Sequence, residues 1–360
     1  MAYTTINKPT EHFNTLLYTG DNANRSFTGV GFEPSLTWIK ARNNTTWHLL
    51  YDAVRTAGTG KELHSNSNQA EGASSSSLYG YLSSFDSDGF STVNGSDASD
   101  ALNEVNRTYV AWNWKAGTSF TNDASATGIG TIDSTGSVNQ DAGFSICSYT
   151  GNGTSGASVK HGLSTKPAMM IIKNRDEADS WQVYHHKNTS APATETLQLN
   201  ETGATSDTSN RWNDTEPTTA IFTLGNNTTV NKNTINYIGY IFSEKQAYSK
   251  FGSYVGNGNA DGTFVYTGQK SAFIMLKNTT RGASWLMFDN KRLGYNVDNN
   301  EVVANTNAAE ETYDQLDILS NGFKLRANGT STNLNGDTYI YMAFASAPLV
   351  GTNNVPCTAR

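Results

Sequence analysis

The sequence predicts an all-β fold of three tandem β-sandwich (jelly-roll-like) modules with little helix. Three observations carry this: a turn-rich composition, strands with a two-residue hydrophobic period, and one unit of roughly 100 residues written three times. The chain has 360 residues, 36% hydrophobic and 16% charged, with 32 glycines and an 11% aromatic share that implies packed cores. Short runs of Val, Ile, Tyr, Phe and Trp lie between clusters of Gly, Asn, Asp, Ser and Thr, the pattern of strands joined by turns.

Each unit opens on a strand and a polar turn: FNTLLYTGDNANRS from Phe13, FSICSYTGNGTSGA from Phe144 and FGSYVGNGNADGTF from Phe251. A hydrophobic strand ending in lysine follows: LTWIK (Lys40), MMIIK (Lys173) and FIMLK (Lys277). Next comes an aromatic strand, WHLLYD, WQVYHH or WLMFDN, whose last aromatic lies 11 residues beyond the lysine in every copy (40 to 51, 173 to 184, 277 to 288). After a variable middle, a short strand around DGFSTV, AIFTLG or NGFKLR precedes a tyrosine-led closing strand, YVAWNW, YIGYIF or YIYMAF. One face of the closing strands is strongly apolar: Val110, Trp112 and Trp114; Ile238, Tyr240 and Phe242; Ile340, Met342 and Phe344.

One position is out of step. Trp47 follows its lysine by seven residues, whereas Trp181 and Trp285 follow theirs by eight. Either a bulge or a shifted turn near Asn43–Thr46 absorbs the offset, or Trp47 points away from where the other two point. The domain boundaries read as an N-terminal arm (1–11), modules at 12–117, 143–246 and 247–348, a linker or added hairpin at 118–142, and a C-terminal arm (349–360). Both arms are expected to be mobile unless docked on a neighbour.

The chemical signals are weak. Gly151, Gly153 and Gly156 match the Gly-x-Gly-x-x-Gly spacing of a dinucleotide loop, but Gly162 and Pro167 interrupt what should be the following helix, so the stretch reads as a hairpin turn. His185 and His186 have no histidine counterparts and read as surface residues. Asp52/Arg55 and Asp289/Arg292 share a spacing of three and read as turn-capping surface pairs. Lys40, Lys173 and Lys277 read as edge gatekeepers or as partners of an adjacent copy. The acidic groups Asp86/Asp88 and Asp176/Glu177/Asp179 lack the ligand spacing of a calcium loop. Cys147 lies mid-strand and Cys357 near the end, a pair unsuited to a structural disulfide or a metal site. No catalytic, cofactor-binding or metal-ligating residue is assigned, no cofactor is expected, and the ligand-binding residues are unknown. The net charge of -7 without basic clusters argues against nucleic acid as a partner. The N-terminus has no apolar core of a signal peptide, and no stretch is long enough to insert in a membrane.

The features FNTLLYTG, WIKAR, FDSDGF, YVAWNWKAG, GFSICSYTGNG, PAMMIIKNR and YSKFGSYVGNGNADG, with the close NGFKLR…TYIYMAFASAPLV…VPCTAR, resemble the tandem-repeat virion structural proteins of marine tailed bacteriophages, including cyanophages. The resemblance covers essentially the whole chain. It implies a non-enzymatic particle component such as a tail fibre, appendage or capsid surface decoration. It implies a homo-oligomer that touches other virion proteins, made in the host cytoplasm and released by lysis. It brings no catalytic residues. The alternative expectation is an adhesin that attaches to a host-surface glycan, and displayed rather than buried Trp47, Trp181 and Trp285 favour it. A polysaccharide depolymerase would require paired carboxylates across a cleft, and the sequence prefers no such pair.

Overall fold

In the computed structural model, which describes residues 4–97, 102–292, 296, 300–348 and 350, the regular structure is almost wholly strand, arranged in antiparallel sheets. Helix is confined to four single-turn α segments and two 3-10 turns among these residues. Three large sheets share one strand order: opening, closing, lysine, aromatic. In the first these are Phe13–Thr19, Thr108–Trp114, Leu36–Ala41 and Leu49–Asp52. In the second they are Phe144–Thr150, Asn236–Phe242, Met169–Asn174 and Gln182–His185; in the third, Ser249–Val255, Thr338–Pro348, Gln269–Asn278 and Leu286–Asp289. The second and third sheets continue past the aromatic strand through Glu195–Gln198 and Asn300–Val303. Residues 118–142 include the strands Thr118–Asn122 and Ser134–Asn139, a hairpin that adds to the opening edge of the second sheet.

A smaller sheet accompanies each large one. Arg25–Thr28 pairs with Gly89–Val93 and that with Tyr81–Asp86; Ala157–Lys160 pairs with Ile221–Leu224; Phe264–Tyr266 pairs with Gly322–Leu325 and that with Leu316–Leu319. The glycine turn after each opening strand therefore carries the chain from a large sheet to a small one, and the hairpin expected at Gly151–Gly156 is a sheet-switching turn. The cause is visible at Gly151, where a Cβ would lie 2.4 Å from the Lys232 carbonyl oxygen; Gly20 and Gly256 meet Glu104 and Leu334 in the same way. Only glycine allows that backbone approach. The residue after each of these glycines is held by an asparagine side chain: Asn231 Oδ1 accepts from Asn152 N–H at 2.9 Å and Asn333 Oδ1 from Asn257 N–H at 2.9 Å, with Asn103 Oδ1 opposite Asp21 N–H at 3.4 Å.

The two faces of each closing strand serve different cores, as their alternation requires. The nine apolar residues from Val110 to Phe344 named above all enter one central cluster, with Phe13, Trp38, Phe144, Trp181, Phe273 and Trp285. The opposite faces pack against the small sheets in three separate clusters. There the opening tyrosines stack on the closing ones in register: Tyr18 on Tyr109 at 4.8 Å, Tyr149 on Tyr237 at 5.2 Å, and Tyr254 on Tyr339 at 5.0 Å.

The three large sheets meet around the central cluster and their junctions close on themselves. Glu71 N–H donates to the Arg175 carbonyl at 2.8 Å, Thr205 N–H to Thr279 at 3.0 Å, and Glu310 N–H to Arg42 at 2.7 Å. Each acceptor lies two residues after its lysine, so the first segment joins the second, the second the third, and the third the first. At two of these junctions an arginine–glutamate pair reinforces the bond: Arg42 with Glu310 (3.0 and 2.8 Å) and Arg175 with Glu71 (2.5 and 3.2 Å). The first eleven residues are not a free arm in their described part: Ile6 is buried in the central cluster, and Thr4 Oγ1 donates to the Gln246 carbonyl at 2.8 Å. Apart from Val350, the C-terminal arm, with Cys357, lies outside the described residues.

Candidate functional site

The polar residues singled out in the sequence lie mostly inside the molecule, at its junctions. Lys40, Lys173 and Lys277 are fully buried, which overturns the edge-gatekeeper reading. Each ammonium is taken up by carbonyls: Lys40 by Ala41 and Asn44, Lys173 by Asn174 and Asn68, Lys277 by Asn278, Ala283 and Thr202. Asn68 and Thr202 belong to the preceding segment, so two of the lysines bind across a junction. Burial lowers their pKa from the ordinary 10.5, to about 7 for Lys40 and about 8 for Lys173 and Lys277.

The aspartate–arginine pairs are not on the surface either. Asp52 and Arg55 are buried, as are Asp289 and Arg292. In each, Oδ1 caps the turn by accepting from the arginine N–H at 2.9 Å, and Oδ2 accepts from the guanidinium Nε at 2.5 Å (Arg55) or 2.6 Å (Arg292). The turn-capping part of the expectation is what the structure contains; the exposure is wrong, because each Oδ2 also receives a donor from a neighbouring segment. Tyr240 Oη donates to Asp52 at 2.8 Å and Trp112 Nε1 to Asp289 at 2.9 Å. Burial raises the Asp289 carboxyl, and the Arg292 charge together with the hydrogen bonds from Arg292 and Lys291 more than reverses this, leaving it below the usual range.

At the third such position stands His185, buried rather than exposed, and the closing-strand residue equivalent to Tyr240 and Trp112 is Met342, which has no donor. The histidine takes both roles itself. Its Nδ1 accepts from Lys187 N–H at 3.1 Å and its Nε2 donates to the Tyr341 carbonyl at 3.1 Å. Burial first, then His186, lowers its pKa to about 3. His186 is half-buried, with Nε2 2.9 Å from the Phe251 carbonyl.

Trp181 and Trp285 are buried, and their indole N–H groups cross junctions to the His64 and Gln198 carbonyls, each at 2.9 Å. Their counterpart in the first segment, eight residues after the lysine, is His48, whose Nε2 donates to the Val303 carbonyl at 3.1 Å. The lysine and aromatic strands of the first sheet pair without a register shift. There is no bulge, and Trp47 points elsewhere.

Trp47 opens into a cleft of about 450 Å³ beside the first large sheet, lined also by Tyr51, Glu62, His64, Tyr79 and Arg107. Trp47 is half-exposed, its ring edge-on to His64 at 4.6 Å. Nδ1 of His64 donates to the His48 carbonyl at 2.9 Å and Nε2 accepts from Ser74 Oγ at 2.9 Å, so the ring is neutral; burial lowers its pKa to about 4. Glu62 is 2% exposed. Its Oε1 accepts from Ser74 N–H at 2.9 Å, its Oε2 has no hydrogen-bond partner, and burial raises its pKa. In the second segment the corresponding face is covered by the helix Ser209–Trp212, with Trp212 edge-on to Tyr184 at 6.0 Å. The first segment's helix, Ser76–Tyr79, brings only Tyr79 to the cleft wall. A half-buried indole and a buried acceptor lining one cleft suit a flat, hydroxylated ligand.

The sequence marked Trp47 by its offset but not Glu62, Tyr79 or Ser74, which lie in the variable middle. A second concavity of about 570 Å³ lies near Tyr184, His186 and Lys187, bridged by the Lys166–Glu216 ion pair. The acidic groups serve turns: Asp88 accepts from Gly29 and Gly31 N–H, Asp176 from Asn236, and Glu177 pairs with Lys232. Among the described residues no three His, Cys, Asp or Glu side chains group as a metal site would. Cys147 is buried, and burial pushes its thiol up to about 12. A family model described as a domain of unknown function (DUF7483) matches residues 8–348. No curated protein matches the chain.

Proposed function

We propose that the chain, which belongs to the DUF7483 family, a domain of unknown function, is a non-enzymatic structural component of a tailed-phage particle. On this reading three copies of one β-sandwich module, joined by duplication, build a rigid body for a tail fibre, appendage or capsid decoration. The body is made in the host cytoplasm, assembles with other copies and other virion proteins, and leaves on lysis. The observation that carries the reading is the cyclic set of junction bonds, from Glu71–Arg175 through Thr205–Thr279 to Glu310–Arg42. Junctions of this kind favour a fixed shape over the opening and closing of a catalytic lid. The resemblance of the whole chain to phage virion proteins supports the same role. The test is mass spectrometry and image reconstruction of washed particles from a phage that encodes the chain. The expected result is the chain at an ordered, symmetric position; particles lacking it after washing would refute the proposal.

A second reading, attachment to a host-surface glycan, is favoured by the half-exposure of Trp47 in its cleft. Trp181 and Trp285, buried at the junctions, take no part in it.

A further inference from the structure

Two features of the Trp47 cleft are only partly satisfied by the fold. Glu62 Oε2 is a buried acceptor without a donor, and such an atom destabilises the chain that carries it. Trp47 is large and apolar yet not fully buried, while its neighbour His48 fills the junction position that tryptophan holds in the other two segments. The two residues line the same concavity, of a size that suits a small ligand.

We propose that this cleft is a saccharide subsite in which the C–H face of one neutral hexopyranose lies on the Trp47 indole and a ring hydroxyl donates to Glu62. The terminal torsion of a glutamate is soft, so a small turn of the carboxylate presents Oε2 to the cleft while Ser74 N–H holds the other oxygen. The hydroxyl supplies the missing donor, and the apolar face of the sugar covers the indole without stripping water from a charge. An anionic ligand could meet Arg107 at the cleft wall but would leave Glu62 Oε2 without a donor, and a purely apolar one would leave Oε2 bare. A tetraalkylammonium ion, the rival that aromatic walls and a carboxylate also attract, has no N–H to give the carboxylate. The inference rests on the glycan reading for its ligand class, but not on any host.

The test is a titration of the full chain with the methyl glycosides of glucose, galactose and mannose, followed by tryptophan emission and by saturation-transfer NMR. Tetramethylammonium and inorganic phosphate serve as controls. At least one glycoside is expected to give a saturable change. Trp47→Ala and Glu62→Gln should each weaken it by about tenfold or more, the loss expected for a stacking platform or a charge-assisted hydrogen bond. Trp47→Phe, which keeps an aromatic face, should retain part of the affinity. Should Glu62→Gln fail to fold, the two Trp47 variants decide the matter, since that side chain is half-exposed. No saturation by any glycoside, an unchanged isotherm in Trp47→Ala, or displacement by tetramethylammonium overturns the proposal. Adsorption of the wild-type chain to host cells is measured in parallel. Glycoside binding without adsorption keeps the subsite and removes the adhesin reading, whereas adsorption of a chain that binds no glycoside keeps the adhesin reading and removes the subsite.

Discussion

Asp289 meets four donors: Lys291 N–H, Arg292 N–H, Arg292 Nε and, across a junction, Trp112 Nε1. Truncating it leaves Arg292 with Glu310 as its remaining carboxylate partner, at 3.0 Å, and strands the Trp112 and Arg292 Nε donors, so Asp289→Ala is expected to cost about 3 kcal/mol in urea denaturation. Glu11→Gln, which breaks the exposed Lys8–Glu11 pair, should cost about 0–1 kcal/mol. The buried histidines set a pH dependence. His64 and His161 have folded pKa values of about 4 and His185 of about 3, all lowered chiefly by burial from 6.5. Between pH 6.5 and 4 the unfolded chain binds protons that the folded one excludes, so their stabilising contribution is full above 6.5 and falls as pH falls. Glu301, raised by burial to about 7, acts oppositely between pH 4.5 and 7. Three histidines outweigh it, and the urea midpoint is expected to drop from pH 7 to pH 4.5. A flat profile would refute this assignment. None of this burial was legible in the sequence, because Asp-x-x-Arg and His-His look the same on a surface as at a junction; what decides is the Tyr240, Trp112 or Tyr341 partner contributed from far along the chain.

At the scale of the element, the strands were readable because little besides a strand against a core produces a two-residue period with one apolar face. The pairing was not. The turn at Gly151 looks like a hairpin until its strands are seen to belong to different sheets, and the reason lies in a remote contact, Gly151 against Lys232 O. Gly151→Ala forces that carbonyl away and is expected to destabilise by about 1–3 kcal/mol. Gly203→Ala has nothing within 4 Å of its new Cβ and should be near neutral, read by thermal melting of both variants. The asparagines that hold these turns, Asn103, Asn231 and Asn333, each lie six residues before a closing tyrosine (103 to 109, 231 to 237, 333 to 339). That spacing was available in the sequence but hidden among many asparagines. The offset at Trp47 was legible, and so was the choice it posed. The cleft it opens into was not, since Glu62 and Tyr79 come from the variable middle, where the segments share little.

For the whole molecule, tandem order along the chain suggests a row, whereas the junction contacts form a closed set. The sequence could mark the units but not the meeting of the first with the third, which depends on the Arg42–Glu310, His48–Val303 and Trp112–Asp289 contacts. Since one hydrophobic cluster draws on all three large sheets, unfolding is expected as one cooperative transition, with tryptophan emission and far-ultraviolet dichroism giving the same midpoint. Two separated transitions would mean that the segments hold themselves up independently.

The first and third segments share no peptide link, yet they carry the same buried contacts as neighbours that do. Covalent continuity is thus redundant at any one of the three seams. A protease nick in the exposed turn around Ser125–Thr127 should leave a two-fragment complex that still migrates as one species, and the order of segments along the gene could be rotated with the assembled shape preserved.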